Sequence, residues 1–294
     1  MTRSDINFSK PIGGFTLIEL SIVLVIIGLI VGGILVGRDL ISSAGIRATI
    51  GQLETYNTAV QTFEAKYNAI PGDILSSHAL QLGFYNVTGA SANKLAYGNG
   101  DGVVQGYPDA PWIEGGTFGG EIIMFFLHLS QAKLIDGLYG AGGTHAQVVG
   151  ATPTGGSYAG LPKVSAEVSG PYVSEILPPA KLGNGNYFTI GSVFGDNYFI
   201  VTGAPTLDLG FNINPTNNIT PTEAYIIDKK IDDGIYNTGN VYAIDAEGVP
   251  LSASNGDGVA YWTGNNCVNG SGQYNTANKI YANSSLCSLR FSFQ

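Results

Sequence analysis

The chain has 294 residues, of which 12% are charged and 44% hydrophobic, with 42 glycines and a formal charge of −9. That apolar content argues against intrinsic disorder, and the acidic balance disfavours nucleic-acid binding through phosphate neutralisation. The length allows one or two domains.

The first element is an apolar run. After Gly13-Gly14, the stretch from Phe15 to Val36 carries one charge, Glu19. Roughly 22 such residues can cross a ~30 Å hydrocarbon core as a single helix. An ordinary secretory signal is cut after its apolar core, but here the small glycine pair stands before it. Cleavage after Gly14 removes Met1–Gly14 and leaves the helix as the new N-terminus. Arg3 and Lys10 precede the run, so the N-terminus is expected on the cytoplasmic side and the long remainder in the periplasm. With Asp5, these make the leader +1, which leaves −10 on the rest.

The string Gly13-Gly14-Phe15-Thr16-Leu17-Ile18-Glu19 resembles the signal of type IV pilins and of the pseudopilins of type II secretion. The resemblance is dense over about residues 10 to 37 and looser to about residue 75. It implies that prepilin peptidase, a membrane aspartyl protease, cuts between Gly14 and Phe15 and N-methylates Phe15. Glu19 is then the acid of the assembly helix, and Gly28 matches a helix-weakening glycine. Val36 stands where the family usually has proline, and Gly32, Gly33 and Gly37 soften the same stretch. The implied fold is α+β: a long N-terminal helix packed on an antiparallel sheet with inserted helices. The implied partners are the peptidase, identical or related subunits, and the inner-membrane assembly platform with its ATPase. The precursor would sit in the inner membrane and be assembled into an extracellular pilus or a periplasmic pseudopilus.

Glu19 carries a physical argument of its own. A carboxylate at that depth costs about 2.5–3.5 kcal/mol on insertion scales, so a partner is expected. The amine freed at Phe15 lies one helical turn away, and pairing between subunits would set the stagger of a filament. The bland reading is a signal anchor with Glu19 in the headgroup layer.

Past the run, Leu40, Ile41, Ala44, Ala48, Leu53, Tyr56, Val60, Phe63 and Tyr67 recur at three- and four-residue spacing. They predict an amphipathic continuation that Ile70-Pro71-Gly72-Asp73 ends. One helix from Phe15 to about Tyr67 would be ~80 Å long. The domains expected are the leader 1–14, the membrane helix 15–37, its continuation 38–70 and a globular part 71–294. About 220 residues outside the helix suffice for a sizeable core.

Asp73 to about Leu82 is expected as a short helix. Glu121 to Asp136 reads as a helix stopped by Gly137. Thr220-Pro221-Thr222-Glu223 is a capping box opening a helix that ends near Asp233-Gly234. Tyr187–Ile190 and Tyr198–Val201 read as strands around a Gly195-Asp196-Asn197 turn, with Tyr172–Leu177 and Asn240–Ile244 as further strands. Residues 140–162 read as an exposed loop.

Asn99-Gly100-Asp101-Gly102-Val103 recurs as Asn255-Gly256-Asp257-Gly258-Val259. The oxygens of Asn99, Asp101, Asn255 and Asp257 suit a calcium ion, which takes roughly six to eight oxygen ligands. The same dipeptides are strong tight-turn formers, and both readings stay open. Asp228, Asp232 and Asp233 place acids at a helix end, where they oppose the macrodipole; a metal or interaction patch competes with a solvated helix end. Cys267 and Cys287 would reach an oxidising space on export, where a bond between them would contribute ~3 kcal/mol; the alternative is two buried thiols. Many pilins carry such a C-terminal disulfide loop. His78, His128 and His145 share no metal-ligand spacing, and no nucleotide-binding, metalloprotease or nucleophile-elbow motif is present. The reading is a non-enzymatic filament subunit. Its rival is a membrane-tethered binding protein recognising a glycan or another ligand.

Overall fold

The computed structural model describes residues 16–84, 98–104, 120–137, 139, 177–183, 185–193, 196–203, 206–207, 213–214, 218–245, 267–269, 271–278, 282, 284 and 287–293. The predicted strand residues 172–176 and the loop 140–162 lie outside them. Helix α1 runs without interruption over Leu17–Tyr67. It stops where Asn68 takes φ 51°, a left-handed conformation that asparagine tolerates, three residues before Pro71. Residues to Ala44 and residues from Gly45 form two compact units.

In the second unit, Ile46, Thr49, Leu53, Tyr56, Val60 and Phe63 of α1 are buried, a stripe at helical spacing; the expected Leu40, Ile41, Ala44 and Ala48 are exposed, and the buried face begins instead with Ile46 and Thr49. The stripe faces a sheet of four strands: β1 (Asn186–Val193), β2 (Asp196–Gly203), β5 (Val241–Asp245) and β6 (Cys287–Ser292). Their order is β1-β2-β6-β5, and every neighbouring pair is antiparallel. Strands β3 (Thr206–Leu207) and β4 (Ile213–Asn214) form a small separate ladder. The fold is α+β, as the sequence implies.

Register explains the core. Ile190, Phe199, Phe291 and Val241 pair in one row across all four strands, and each is buried. A slip of one residue would turn its strand's member of that row to the opposite face. The Tyr56 ring of α1 meets Phe188 edge-on, with centroids 5.0 Å apart. Helix α3 (Gly120–Gln131) adds Phe126, 5.7 Å from Tyr56, and Phe125, 5.7 Å from Phe199. Burying each such ring stabilises the fold by about 1.5–3 kcal/mol.

The short helix α2 (Ser76–Gln81) and helix α4 (Pro221–Ile231) lie where expected, and Thr220 and Glu223 of α4 form the full capping box. Two further expectations are corrected. Helix α3 ends at Gln131 rather than Asp136, because Lys133 turns left-handed at φ 58°. The amides of Lys133 and Leu134 then bond back to Ser130 and Leu129, a Schellman ending that needs no glycine. In the β1–β2 hairpin, pairing continues to Val193–Asp196, so Asp196 and Asn197 are strand residues and not part of the turn. Strand β6 was not foreseen, although Cys287, Leu289 and Phe291 alternate with Ser288, Arg290 and Ser292.

Candidate functional site

The apolar front of α1 is the first candidate. All fifteen Leu, Ile and Val side chains from Leu17 to Val36 are exposed, from 49% at Val23 to 89% at Leu17. Left in water, that surface would cost on the order of tens of kcal/mol. This helix is long and apolar enough to cross a membrane. Gly28 lies within it, with nothing near its open side. Gly13, Gly14 and Phe15 lie outside the described residues.

At the start of α1, Glu19 has a partner the sequence analysis did not name. Thr16 donates to Glu19 Oε2 through both its amide and its Oγ1, each at 2.8 Å. Glu19 N donates back to Thr16 Oγ1 at 3.3 Å. This is a reciprocal capping box, and its Thr-x-x-Glu signature was legible in the sequence. Within the chain itself, the carboxylate is therefore hydrogen-bonded by Thr16, the second residue after the expected cut.

The loop containing Asn99 and Asp101 is a second cluster. Asn99 Oδ1 accepts the Asp101 amide at 2.9 Å, and Asp101 Oδ1 accepts the Val103 amide at 2.8 Å. Asn99 Nδ2 donates to Asp101 Oδ2 at 2.8 Å. These are the side-chain-to-backbone bonds of tight turns. Three other elements hold the loop. Asp73 accepts the amides of Gly100 and Gly102, at 2.6 and 2.7 Å. Glu121, at the start of α3, accepts the Asn99 amide at 3.1 Å. Asn197 of β2 accepts the Val104 amide and donates to the Gly102 carbonyl. Burial pushes the Asp73 carboxyl above its ordinary range, against the glycine amides that lower it. Asn255 and Asp257, in the second copy of the motif, lie outside the described residues.

Asp228, Asp232 and Asp233 do converge, each offering an oxygen within 4.8 Å of the others. Each also shapes the chain leaving α4. Asp228 is buried and accepts the Gly234 amide at 3.1 Å and the Tyr274 hydroxyl at 2.7 Å. Asp232 accepts the amides of Asn240 and Val241, while Asp233 accepts from Ile235 N and Thr238 Oγ1. Carboxylates that oppose the helix dipole are thus used to fold the turn into β5. Burial raises the Asp228 pKa, and burial together with the Asp228 contact raises that of Tyr274.

Two buried features complete the picture. Cys267 and Cys287 form a disulfide with Cα atoms 5.1 Å apart, both cysteines being fully buried. Cys287 also exchanges backbone bonds with Ile219, so the bond ties residue 267 to the sheet and to the chain entering α4. His128 of α3 is fully buried beside Phe63 and Phe84. Its Nδ1 accepts the Gly72 amide at 2.9 Å, which fixes the neutral ring with its proton on Nε2. Burial lowers its pKa to about 3.

Searches of curated proteins and of solved structures found no match to this chain. A family model does match at the N-terminus. Residues 10–35, which hold the glycine pair, Phe15, Glu19 and most of the exposed apolar helix, carry the prokaryotic N-terminal methylation motif, the signal of type IV pilin-like precursors.

Proposed function

We propose that this protein is a structural subunit of a type IV pilus-like filament, processed after Gly14, methylated at Phe15 and polymerised through α1. The observation that carries the reading is the methylation motif leading directly into a helix whose fifteen large aliphatic side chains are all exposed. Before assembly a membrane covers that surface; afterwards, neighbouring copies of the same helix do. Its work is mechanical and not catalytic. The prepilin peptidase, the assembly platform and its ATPase are the partners such a precursor requires. In the filament, Glu19 exchanges its contact with Thr16 for the amine of a neighbouring Phe15.

Replacing Glu19 tests this. Glu19→Ala removes a carboxylate that is costly in lipid, so insertion is retained or improved. In a filament, the same change leaves the Phe15 amine as an uncompensated charge among apolar helices. In a strain carrying only the mutant, cleavage and membrane levels should be normal, while sheared filament relative to membrane-held subunit falls strongly. Undiminished filament would overturn the role of Glu19, whereas absence of this chain from sheared filaments of the wild-type strain would favour a tethered monomer.

A further inference from the structure

Asn-Gly and Asp-Gly are the two dipeptides most prone to close into a succinimide, because glycine leaves its own amide nitrogen unhindered. Asn99-Gly100-Asp101-Gly102 places them back to back. In each case the nitrogen of the following glycine loses its proton to solvent base and attacks the preceding side-chain Cγ. At Asn99 the new N–C bond expels ammonia; at Asp101 it expels water. A water molecule then opens the ring to an aspartyl or isoaspartyl linkage. The net change is asparagine plus water to aspartate plus ammonia at residue 99, and isomerisation without change of mass at residue 101.

The two attacking nitrogens are those of Gly100 and Gly102, and one buried carboxylate holds both. Asp73 Oδ1 accepts from Gly100 N at 2.6 Å and Oδ2 from Gly102 N at 2.7 Å. In the planar succinimide, the new bond occupies the direction that the N–H bond leaves. Here that direction points at Asp73. A neighbouring carboxylate also disfavours the amide anion that must form first. Closure from Gly98 is tight as well: a Cβ there would stand 2.0 Å from the Asp73 backbone, so the loop lies directly against this residue. One contact within the loop works the other way. The Asp101 amide donates to Asn99 Oδ1 at 2.9 Å, which polarises the side-chain carbonyl toward attack.

From this juxtaposition we infer that Asp73 guards two succinimide-prone bonds, suppressing deamidation of Asn99 and isomerisation of Asp101. A subunit that works outside the cell, beyond resynthesis in place, has reason to carry such a guard. Releasing either amide means breaking a charge-assisted hydrogen bond, which lowers the freed fraction roughly tenfold or more.

The test ages the detergent-solubilised full chain at mildly alkaline pH, natively and in urea, and follows tryptic peptides by mass and isoaspartate content. The second motif copy, Asn255 to Val259, has the same local sequence and serves as the internal reference. In urea the two copies should convert alike. In the native chain, conversion at Asn99 and Asp101 should slow roughly tenfold or more. Asp73→Ala should restore fast conversion at both residues. Asp73→Asn, which keeps one acceptor and places an amide NH2 where the other stood, should free one bond and leave the other slow, whereas unfolding would free both. Native rates at residues 99 and 101 equal to those in urea would overturn the proposal. So would slow conversion at both in an Asp73→Ala chain that retains its near-ultraviolet circular dichroism.

Discussion

Acidifying the protein should expose the cost of His128 as a slope. An unfolded histidine takes a proton below its ordinary pKa of 6.5, whereas the folded ring resists protonation down to about 3. Between these values the unfolded state binds one more proton than the native state. Stability from this group is therefore fully present above about pH 6.5 and is lost as pH falls toward 3. The loss is about 1.4 kcal/mol per pH unit, on the order of 5 kcal/mol over the whole window. Burial beside Phe63 and Phe84 sets it, in a ring whose Nδ1 lone pair already accepts the Gly72 amide. His128→Asn places Oδ1 near the position of Nδ1, retains the acceptor and does not titrate. The lost ring leaves a cavity that costs about 2–4 kcal/mol at every pH, so the slope is the readout. Asp73 and Asp228 have raised pKa values and act in the opposite sense, gaining stability on acidification, but they are common to both proteins. Urea unfolding of the detergent-solubilised chain between about pH 4 and pH 7 gives the two slopes. Wild type should lose about 1.4 kcal/mol more per unit than the variant. Equal slopes would refute the argument and mean that the ring is charged, or reaches water, in the folded protein.

N-terminal mass analysis of mature protein should find Phe15, methylated; a terminus beyond residue 37 would mean that the apolar run is discarded. Cys287→Ser should lower stability by about 3 kcal/mol or more while leaving membrane insertion unchanged, as read by denaturation against membrane fractionation. Gly98→Ala would drive a methyl group into the Asp73 backbone and should cost on the order of 1–3 kcal/mol, with hydrogen exchange rising first in residues 98–104. Thr220→Ala removes the side-chain half of the α4 capping box, leaving the residue-220 amide on Glu223, and should cost about 1 kcal/mol, seen as a lower urea midpoint at unchanged slope.

What could be read without coordinates was local. The apolar run to Val36, the stripe from Leu53 to Phe63, the stop before Pro71 and the Thr220–Glu223 box each depend on residues within a turn or two of one another. Their signatures therefore stand in the string of residues itself, as did the Thr16–Glu19 box that was overlooked. Tertiary structure decided the rest. Strand β6 alternates cleanly, yet its place between β2 and β5 is a pairing across dozens of residues. Helix α3 ends at Gln131 because the backbone turns left-handed at Lys133, although a lysine is no stop signal. Asp73 ends a helix in the sequence, but in the fold it grips amides 27 and 29 residues away. A buried carboxylate needs donors from wherever the chain can supply them, and only packing brings those donors within reach.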